Sequence, residues 1–441
     1  MERTIEYVIR SNLNMINHAR WEITSKCNLN CKHCAVNEVH REDISLPEAK
    51  QIVDKMASQG VKEILFSTKE PFAYKYIWDL FAYCTKLNIY IKLVTNGTLL
   101  NEDDVKRLYQ YKIKMFSISL DGWNETDNDL IRGKGTFNKI LKTIELISKY
   151  NRDPKYSFIP LFVQNCFTSE NLKTLSQIKD LFDDYGDLNI SLTPIVLLGN
   201  AKKNKSIRTT IEQMEEYEDS LYGMIYKVNP KMFVRESTYY GSLYHNYMYR
   251  LNQSPFYPSC MARDPDLFSV LSDGKLCKCV MLLDSDVNYP GQMVFDNAKD
   301  NFGEIHSERI DDSFYKNNDV CRKCDIKDEC QQCLAISLSP EALAEQITKC
   351  EEDMNRFEKM LADVVSGKIR SCVNKSIVLY DGSVTMIFRT LETRRYRVET
   401  NIYNLLVNYL GTDCIPCEKL SELTYDEIKF LVVNNFIWRA E

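Results

Sequence analysis

Between residues 20 and 200, apolar stretches of strand length alternate with amphipathic stretches of helix length. Arg20–Thr24 reads as the first strand. Further strands are predicted at Glu63–Ser67, Ile89–Thr95, Met115–Leu120, Ser157–Val163 and Ile190–Ile195. The first helix opens at Ser45-Leu46-Pro47-Glu48, with Ser45 as cap and Pro47 in the first turn, and ends near Gly60. Other helices are predicted over Phe72–Thr85, Asn101–Tyr109, Phe137–Ser148 and Ser169–Leu181. Strands separated by helices pair in parallel through right-handed crossovers. The expected fold is therefore α/β, with a partial (β/α)6 barrel over residues 1–200. In such barrels the chemistry sits on loops after the C-terminal strand ends.

The pattern changes three times beyond that point. Residues 201–259 read as a helical connector, amphipathic over Ile211–Tyr226 and Tyr-rich from Tyr239 to Tyr257. Those tyrosines pack a helical layer or line a channel. Residues 260–365 are cysteine-dense and lack regular periodicity, as when metal clusters replace an apolar core. From 370 to 441, Ile377–Tyr380 and Val384–Phe388 straddle the hairpin signal Asp381-Gly382. Helical stretches at Asn401–Leu410 and Thr424–Asn434 and a closing strand at Phe436–Arg439 complete a small winged-helix-like module.

Composition narrows the class. The chain has 441 residues, enough for several domains. It has no run of eighteen apolar residues and no signal-peptide core near its start, so a cytoplasmic, non-membrane protein is expected. A net charge of −6 argues against nucleic acid as partner, and Lys202-Lys203-Asn204-Lys205 reads as a solvated loop. Sixteen cysteines are the outlier. In a reducing compartment, clustered thiols point to metal or catalysis rather than disulfides.

The first cluster reads Cys27-Asn28-Leu29-Asn30-Cys31-Lys32-His33-Cys34 and falls directly after the first strand. Three thiolates in a tight loop suit a [4Fe–4S] cluster with one open iron. Zinc is the competing metal, with His33 or His40 completing a Cys₃His site. The CxxxCxxC spacing after a first strand resembles the radical S-adenosylmethionine (radical SAM) superfamily, over about residues 18–200. That resemblance implies that SAM binds the open iron and is reductively cleaved. It places His33 near the adenine, although a loop histidine without such contact is the alternative. Family landmarks follow in order: Glu70-Pro71, Thr95-Asn96-Gly97, Ser117 to Gly122, Ile131 to Phe137, and Leu197 to Asn200. By the same resemblance Ser119 and Arg132 contact the SAM carboxylate, and Leu197 meets the adenine. Asp121 reads equally as a turn cap with Gly122. One departure stands out. Where the family has Gly-Gly-Glu-Pro, this chain has Thr68-Lys69-Glu70-Pro71, and side chains there restrict the backbone.

The second region holds Cys260, Cys277, Cys279, Cys321, Cys324, Cys330, Cys333 and Cys350. It resembles the SPASM extension, which carries two auxiliary [4Fe–4S] clusters. The resemblance implies one cluster on Cys321, Cys324, Cys330 and Cys350. The other would use Cys260, Cys279 and Cys333, with its fourth site open or filled by Cys277. A zinc staple on the paired CxxC motifs is the alternative. Cys84, Cys166 and Cys372 read as small buried hydrophobes, and Cys414-Ile415-Pro416-Cys417 is unassigned.

Proteins of this resemblance mostly modify peptides. The expectation is a maturase with three [4Fe–4S] clusters and SAM, acting on a precursor peptide or protein. It would use an electron donor such as flavodoxin or ferredoxin and form a thioether or carbon–carbon crosslink. A sulfatase-maturing enzyme is the second reading, weakened because Val280 stands where that subgroup places an Asp. A cluster- or zinc-containing peptide-binding protein without catalysis is the third.

Overall fold

The computed structural model describes residues 18–36, 40–166, 168–177, 185, 189–193, 195, 198–210, 213, 234–236, 268–283, 294–304, 316–324, 340–368, 370–373, 377–380, 382–387, 393–412, 414–433 and 436–439. Seven strands run parallel in chain order: β1 His18–Trp21, β2 Glu63–Phe66, β3 Tyr90–Thr95, β4 Ile113–Ser119, β5 Leu161–Cys166, β6 Asn189–Thr193 and β7 Val234–Glu236. The helices that cross between the first five are α1 Leu46–Ser58, α2 Ile77–Lys86, α3 Glu102–Leu108, α4 Glu125–Arg132 and α5 Thr136–Asn151. This is the expected partial barrel, an open sheet with helices between its strands.

Local chemistry explains the element ends. Ser45 caps α1 in a capping box with Glu48, and Asn101 caps α3 in another with Asp104. β5 starts later than its sequence suggests because Pro160 has no N–H for the ladder. It also runs on through the polar residues Gln164, Asn165 and Cys166. Pro71 opens a 3₁₀ turn, Pro71–Ala73, so α2 begins only at Ile77. Short and polar, α4 was not expected; Asn124 caps it, and Asn128, Ile131 and Arg132 form its buried face.

The sheet is also larger than expected. β7 lies in the presumed helical connector. In the cysteine-dense region, β8 Ser269–Val270, β9 Lys275–Cys277 and β10 Val294–Asn297 extend the same sheet beyond β1. β8 pairs parallel to β1, and the three then form an antiparallel meander. The sheet therefore continues past residue 260 and brings Cys277 beside the first strand.

The barrel core centres on Trp21, Ile64, Phe66, Phe81, Leu93, Phe116 and Val163. A second core joins the end of the long helix Pro340–Val365, through Phe357, Leu361 and Val364, to the C-terminal module. That module contains the hairpin β12 Ile377–Tyr380 and β13 Ser383–Ile387, whose register Tyr380↔Ser383 fits the Asp381-Gly382 turn. β14 Thr393–Arg397 completes a three-stranded antiparallel sheet. Helices Thr400–Tyr409, Cys417–Leu420 and Tyr425–Val433 follow, and β15 Ile437–Arg439 returns to β11 Ser371–Val373. Among the described residues no helix is long and apolar enough to cross a membrane.

Candidate active site

The cysteine loop leaves the C-terminal end of β1 and is tied down by asparagines from neighbouring loops. Asn200 donates from its backbone to Cys34 O at 2.9 Å. Its side chain donates to Asn30 Oδ1 at 2.7 Å and Cys31 O at 2.9 Å. Asn96 Nδ2 reaches Asn28 Oδ1 at 2.9 Å and lies 3.8 Å from Cys27 Sγ. Lys32 N–H donates to Ile131 O of α4 at 2.9 Å. Gly199 has φ +52, and a Cβ there would stand 2.6 Å from Cys34 O. Only glycine admits this approach.

Cys27, Cys31 and Cys34 act electrostatically on one another. Burial pushes the Cys31 thiol up to about 12, with Arg132 pulling the other way. Burial likewise raises Cys27. Raised thiols such as those of Cys27 and Cys31 become thiolates when a metal cation binds them. Among the described residues, the trio that brings its ligand atoms within 4.8 Å of one another is His33, Asp121 and Cys166, not the three loop cysteines. One tetrahedral zinc would hold its thiolates about 3.8 Å apart. The wider spread of the loop cysteines fits a multi-iron cluster.

Beside the loop lies a buried polar centre. Asp121, fully buried at the end of β4, forms a close ion pair with Arg132, Nε to Oδ2 2.5 Å. Its Oδ1 accepts from Cys166 N–H at 2.7 Å. His33 Nε2 faces its Oδ2 at 3.4 Å. Asn128 and Asn171 hold the Asp121 backbone at 3.1 and 2.8 Å. Burial holds the His33 imidazole below its ordinary value, Asp121 opposing. His33 Nδ1 is buried with no partner among the described residues. An orphaned donor or acceptor of this kind, beside the cysteine loop, fits a bound polar ligand such as SAM.

Other expected contacts take definite places. The Glu70 carboxylate is buried and accepts from Thr95 Oγ1 at 2.8 Å, Asn96 N–H at 2.8 Å and Phe72 N–H at 3.1 Å. It locks the loop after β2 to the loop after β3, and both its oxygens are engaged. Pro71 is buried in the 3₁₀ turn. Ser119 ends β4 opposite Gln164. Leu197 lies outside the described residues. Cys84 is buried in the barrel core, as expected. Cys166 differs: its thiol borders the polar centre, where burial raises it and Asp121 adds to the effect.

In the second region, Cys321 lies within the short helix Asp319–Lys323 and Cys324 at its C-terminal end, and this helix packs against the long helix carrying Cys350. Cys324 and Cys350 both abut the second core. Three expected ligands of one auxiliary site are thus carried on two helices in contact, while Cys330 falls outside the described residues. Cys277 is fully buried in an apolar group with Val36, Leu271 and Val280, against which Cys34 packs. Cys279 follows at the start of the 3₁₀ turn Val280–Leu282. Cys260 and Cys333 lie outside the described residues. Between Cys277 and Cys279, Lys278 is buried with its ammonium 4.2 Å from the Phe268 ring centre. Asp121, part of a landmark segment, was read equally as a turn cap, and Lys278 was not singled out by sequence. The Asn128/Ile131/Arg132 spacing of one helix face was the available signal for the first.

Comparison with known proteins agrees with this geometry. Residues 21–165 match the radical SAM superfamily. The mycofactocin maturase MftC of Mycolicibacterium smegmatis is 30% identical over 169 residues, 38% of this chain and 41% of that protein. An AdoMet-dependent heme synthase of Methanosarcina barkeri is 28% identical over 191 residues, 42% of this chain and 53% of its own. The chain spans about half the length of the curated relatives it matches. Among solved structures, Streptococcus suis SuiB bound to S-adenosylmethionine shares the fold at TM-score 0.56 and 16% identity, covering 75% of this chain and 76% of SuiB. Native anSMEcpe, with AdoMet and the Cp18Cys peptide bound, does so at TM-score 0.57 and 19% identity, covering 78% of this chain and 98% of that one. The chain carries a radical SAM domain over residues 21–165 and shares its fold with SuiB and anSMEcpe.

Proposed function

We propose that this protein is a radical SAM maturase of a ribosomally made peptide, forming a thioether or carbon–carbon crosslink. The observation that carries the reading is the Cys27/Cys31/Cys34 loop, set at the C-terminal sheet edge beside Arg132, Asp121 and His33. Cys27, Cys31 and Cys34 would hold the cluster, and Arg132 and Ser119 would receive the SAM carboxylate. When bound, cluster and SAM together supply a 5′-deoxyadenosyl radical that abstracts hydrogen. Asp121 fixes the Arg132 guanidinium through Nε and leaves its other nitrogens for a carboxylate. Asn96, Asn200 and Gly199 hold the loop in place.

Relatives of two substrate types match, a peptide maturase and a heme synthase. The C-terminal module supports the peptide reading. Among the described residues β12 pairs on one side only, with β13, and exposes Val378 and Tyr380. An open edge with apolar side chains suits an extended peptide added as a further strand. Two auxiliary clusters would sit on the second cysteine set, one of them on Cys321, Cys324, Cys330 and Cys350. An electron donor of the flavodoxin or ferredoxin type would feed the site.

The test is anaerobic incubation of the reconstituted, reduced protein with SAM and the short peptide encoded beside its gene. A product lighter by two hydrogens, with 5′-deoxyadenosine formed in step, is expected. No SAM consumption with that peptide would remove the reading. A formylglycine product on a sulfatase peptide would favour the sulfatase-maturing alternative, which Val280 argues against.

A further inference from the structure

In the C-terminal module three cysteines stand outside the cluster sets: Cys372 on β11, and Cys414 and Cys417 of the Cys-Ile-Pro-Cys segment. All three are free thiols. The spacing invites a pairing of Cys414 with Cys417, yet the backbone sets these two apart. Ile415 bridges antiparallel to Ser371, its N–H donating to Ser371 O at 2.7 Å, and Pro416 is extended at φ −59 and ψ 139. Three extended residue steps span about 10 Å. A disulfide tolerates no more than about 7 Å between Cα atoms. Cys417 instead opens the helix Cys417–Leu420, its sulfur 3.7 Å from Gly367 O.

The same bridge gives Cys414 a different neighbour. With Ser371 opposite Ile415 in an antiparallel pair, the next residues to face each other are Cys372 and Cys414. Theirs is the non-hydrogen-bonded kind of pair, in which Cα atoms lie about 4.5 Å apart and side chains share one face. That separation lies within the range a disulfide spans. Two observations fix the face. Ser371, Val373 and Ile415 are buried, whereas Cys372 and Cys414 are both half-buried, so the two thiols alternate away from the second core. Arg370, two residues before Cys372 and so on its side of the strand, donates from Nη2 to Cys414 Sγ at 3.4 Å. Cys372, expected as a buried small hydrophobe, is therefore partly open to small reagents.

We propose that Cys372 and Cys414 are a thiol–disulfide pair that locks β11 to the segment before Pro416. The exchange partner is a small-molecule disulfide such as oxidised glutathione. One protein thiolate attacks it and releases a small thiol. The other protein thiolate then attacks the mixed disulfide, which forms the Cys372–Cys414 bond and releases the second small thiol. Two electrons pass from the protein to the small disulfide, and the two protein protons end on the released thiols. The closed loop contains β12, β13, β14 and the helix Thr400–Tyr409. The bond would therefore restrain the sheet whose open edge is proposed above to take the peptide, although the pairing itself does not depend on that reading.

The test equilibrates the full-length, iron-loaded protein in anaerobic buffers of reduced and oxidised glutathione. Samples are quenched in acid, free thiols are alkylated, and disulfide-linked tryptic peptides are identified by mass spectrometry. Cys414 and Cys417 share one tryptic peptide, so wild type is compared with Cys417→Ser, a change at an exposed position. The expected result is a link from the Cys372 peptide to the Cys414 peptide that rises with oxidised glutathione at constant iron content. It should persist in Cys417→Ser and vanish in Cys414→Ser. A bond between Cys414 and Cys417, a link lost in Cys417→Ser, or thiols that stay reduced in the most oxidising buffer would overturn the pairing. So would a link that forms only as iron is lost. SAM turnover plays no part in the readout, so failure here is distinct from failure of the maturase reading.

Discussion

Arg132 Nε and Asp121 Oδ2 lie 2.5 Å apart in a buried ion pair that joins α4 to the end of β4. The same carboxylate accepts the Cys166 N–H and faces His33, so one acid organises the loops after β1, β4 and β5. Replacing Asp121 by Asn keeps an acceptor for Cys166 but leaves the guanidinium buried without its charge partner. The expected cost is about 3–5 kcal/mol of stability, the usual consequence of removing one member of a buried pair. Chemical denaturation of wild type and Asp121→Asn checks it. A loss under 1 kcal/mol would mean that the pair behaves as a solvated one.

Thr68 is the one β-branched residue found with positive φ among the described residues, at +88. A conformation of this kind costs a threonine about 1–3 kcal/mol. Thr68→Gly relieves that strain and loses some of the gain to greater freedom of the unfolded chain. A net stabilisation of about 1 kcal/mol is expected, read as a raised denaturation midpoint. The same comparison answers the sequence's main doubt about the missing glycines. The backbone at residue 68 has kept the glycine path, and a destabilised Thr68→Gly would show that the threonine side chain is needed instead.

Gly199 makes a sharper prediction because its neighbours are backbone atoms. A Cβ at this position meets Cys34 O at 2.6 Å and Ala35 O at 2.8 Å, and φ is +52. Carbonyl groups of the cysteine loop cannot rotate aside as a flexible side chain would. Gly199→Ala should displace Cys34 and leave the protein short of about four irons, the content of one cubane cluster. Iron analysis and the SAM-induced EPR change read this directly; full iron content would show that the loop gives way without losing its metal.

Much of this arrangement was legible before the structure, and the exceptions have physical causes. The parallel strands and the CxxxCxxC loop announced themselves because strand period and thiol spacing are local. β8 and β9 escaped because strands of two and three residues carry no period to detect. α4 escaped because its only buried positions, Asn128, Ile131 and Arg132, are mostly polar. Glu70 was expected at SAM, yet its carboxylate is taken up by Thr95, Asn96 and Phe72. Sequence can name the acid, but the donors from Thr95 and Asn96, one segment distant in the chain, reach it only in the fold. For the same reason sequence left Asp121 evenly divided between a landmark residue and a turn cap.

Asp129 offers a pH test away from the cysteines. Burial pushes its carboxyl up, but the N–H groups of Phe137 and Gly135 and the Thr136 hydroxyl together hold it below its ordinary value of 3.8. It thereby caps the start of α5. A carboxyl lowered on folding contributes stability that is present above pH 3.8 and lost as pH falls through its folded value. Asp129→Asn should cost about 1 kcal/mol at neutral pH, as for a lost helix cap. The gap between the two proteins should close below pH 3.8. A gap that stays constant to low pH would show that geometry, not charge, makes the cap.

The second core couples the C-terminal module to the auxiliary cysteines. Phe436 is fully buried there, against Tyr396 and Phe430, and Phe357 and Leu361 of the long helix share the same core. Cys350 lies on that helix and, with Cys324, packs against the core. Phe436→Ala opens a cavity at a cost of about 3–5 kcal/mol. Because the barrel core is built from other residues, the loss should fall on the module and on the long helix that carries Cys350. The auxiliary site should then lose iron while the Cys27/Cys31/Cys34 site keeps it. Iron content below wild type, with the SAM-induced EPR change intact, is the expected pair of results. Loss of the SAM response together with the auxiliary iron would mean that the two cores unfold as one. In that case the module could not be altered for peptide-binding experiments without disturbing the radical SAM site.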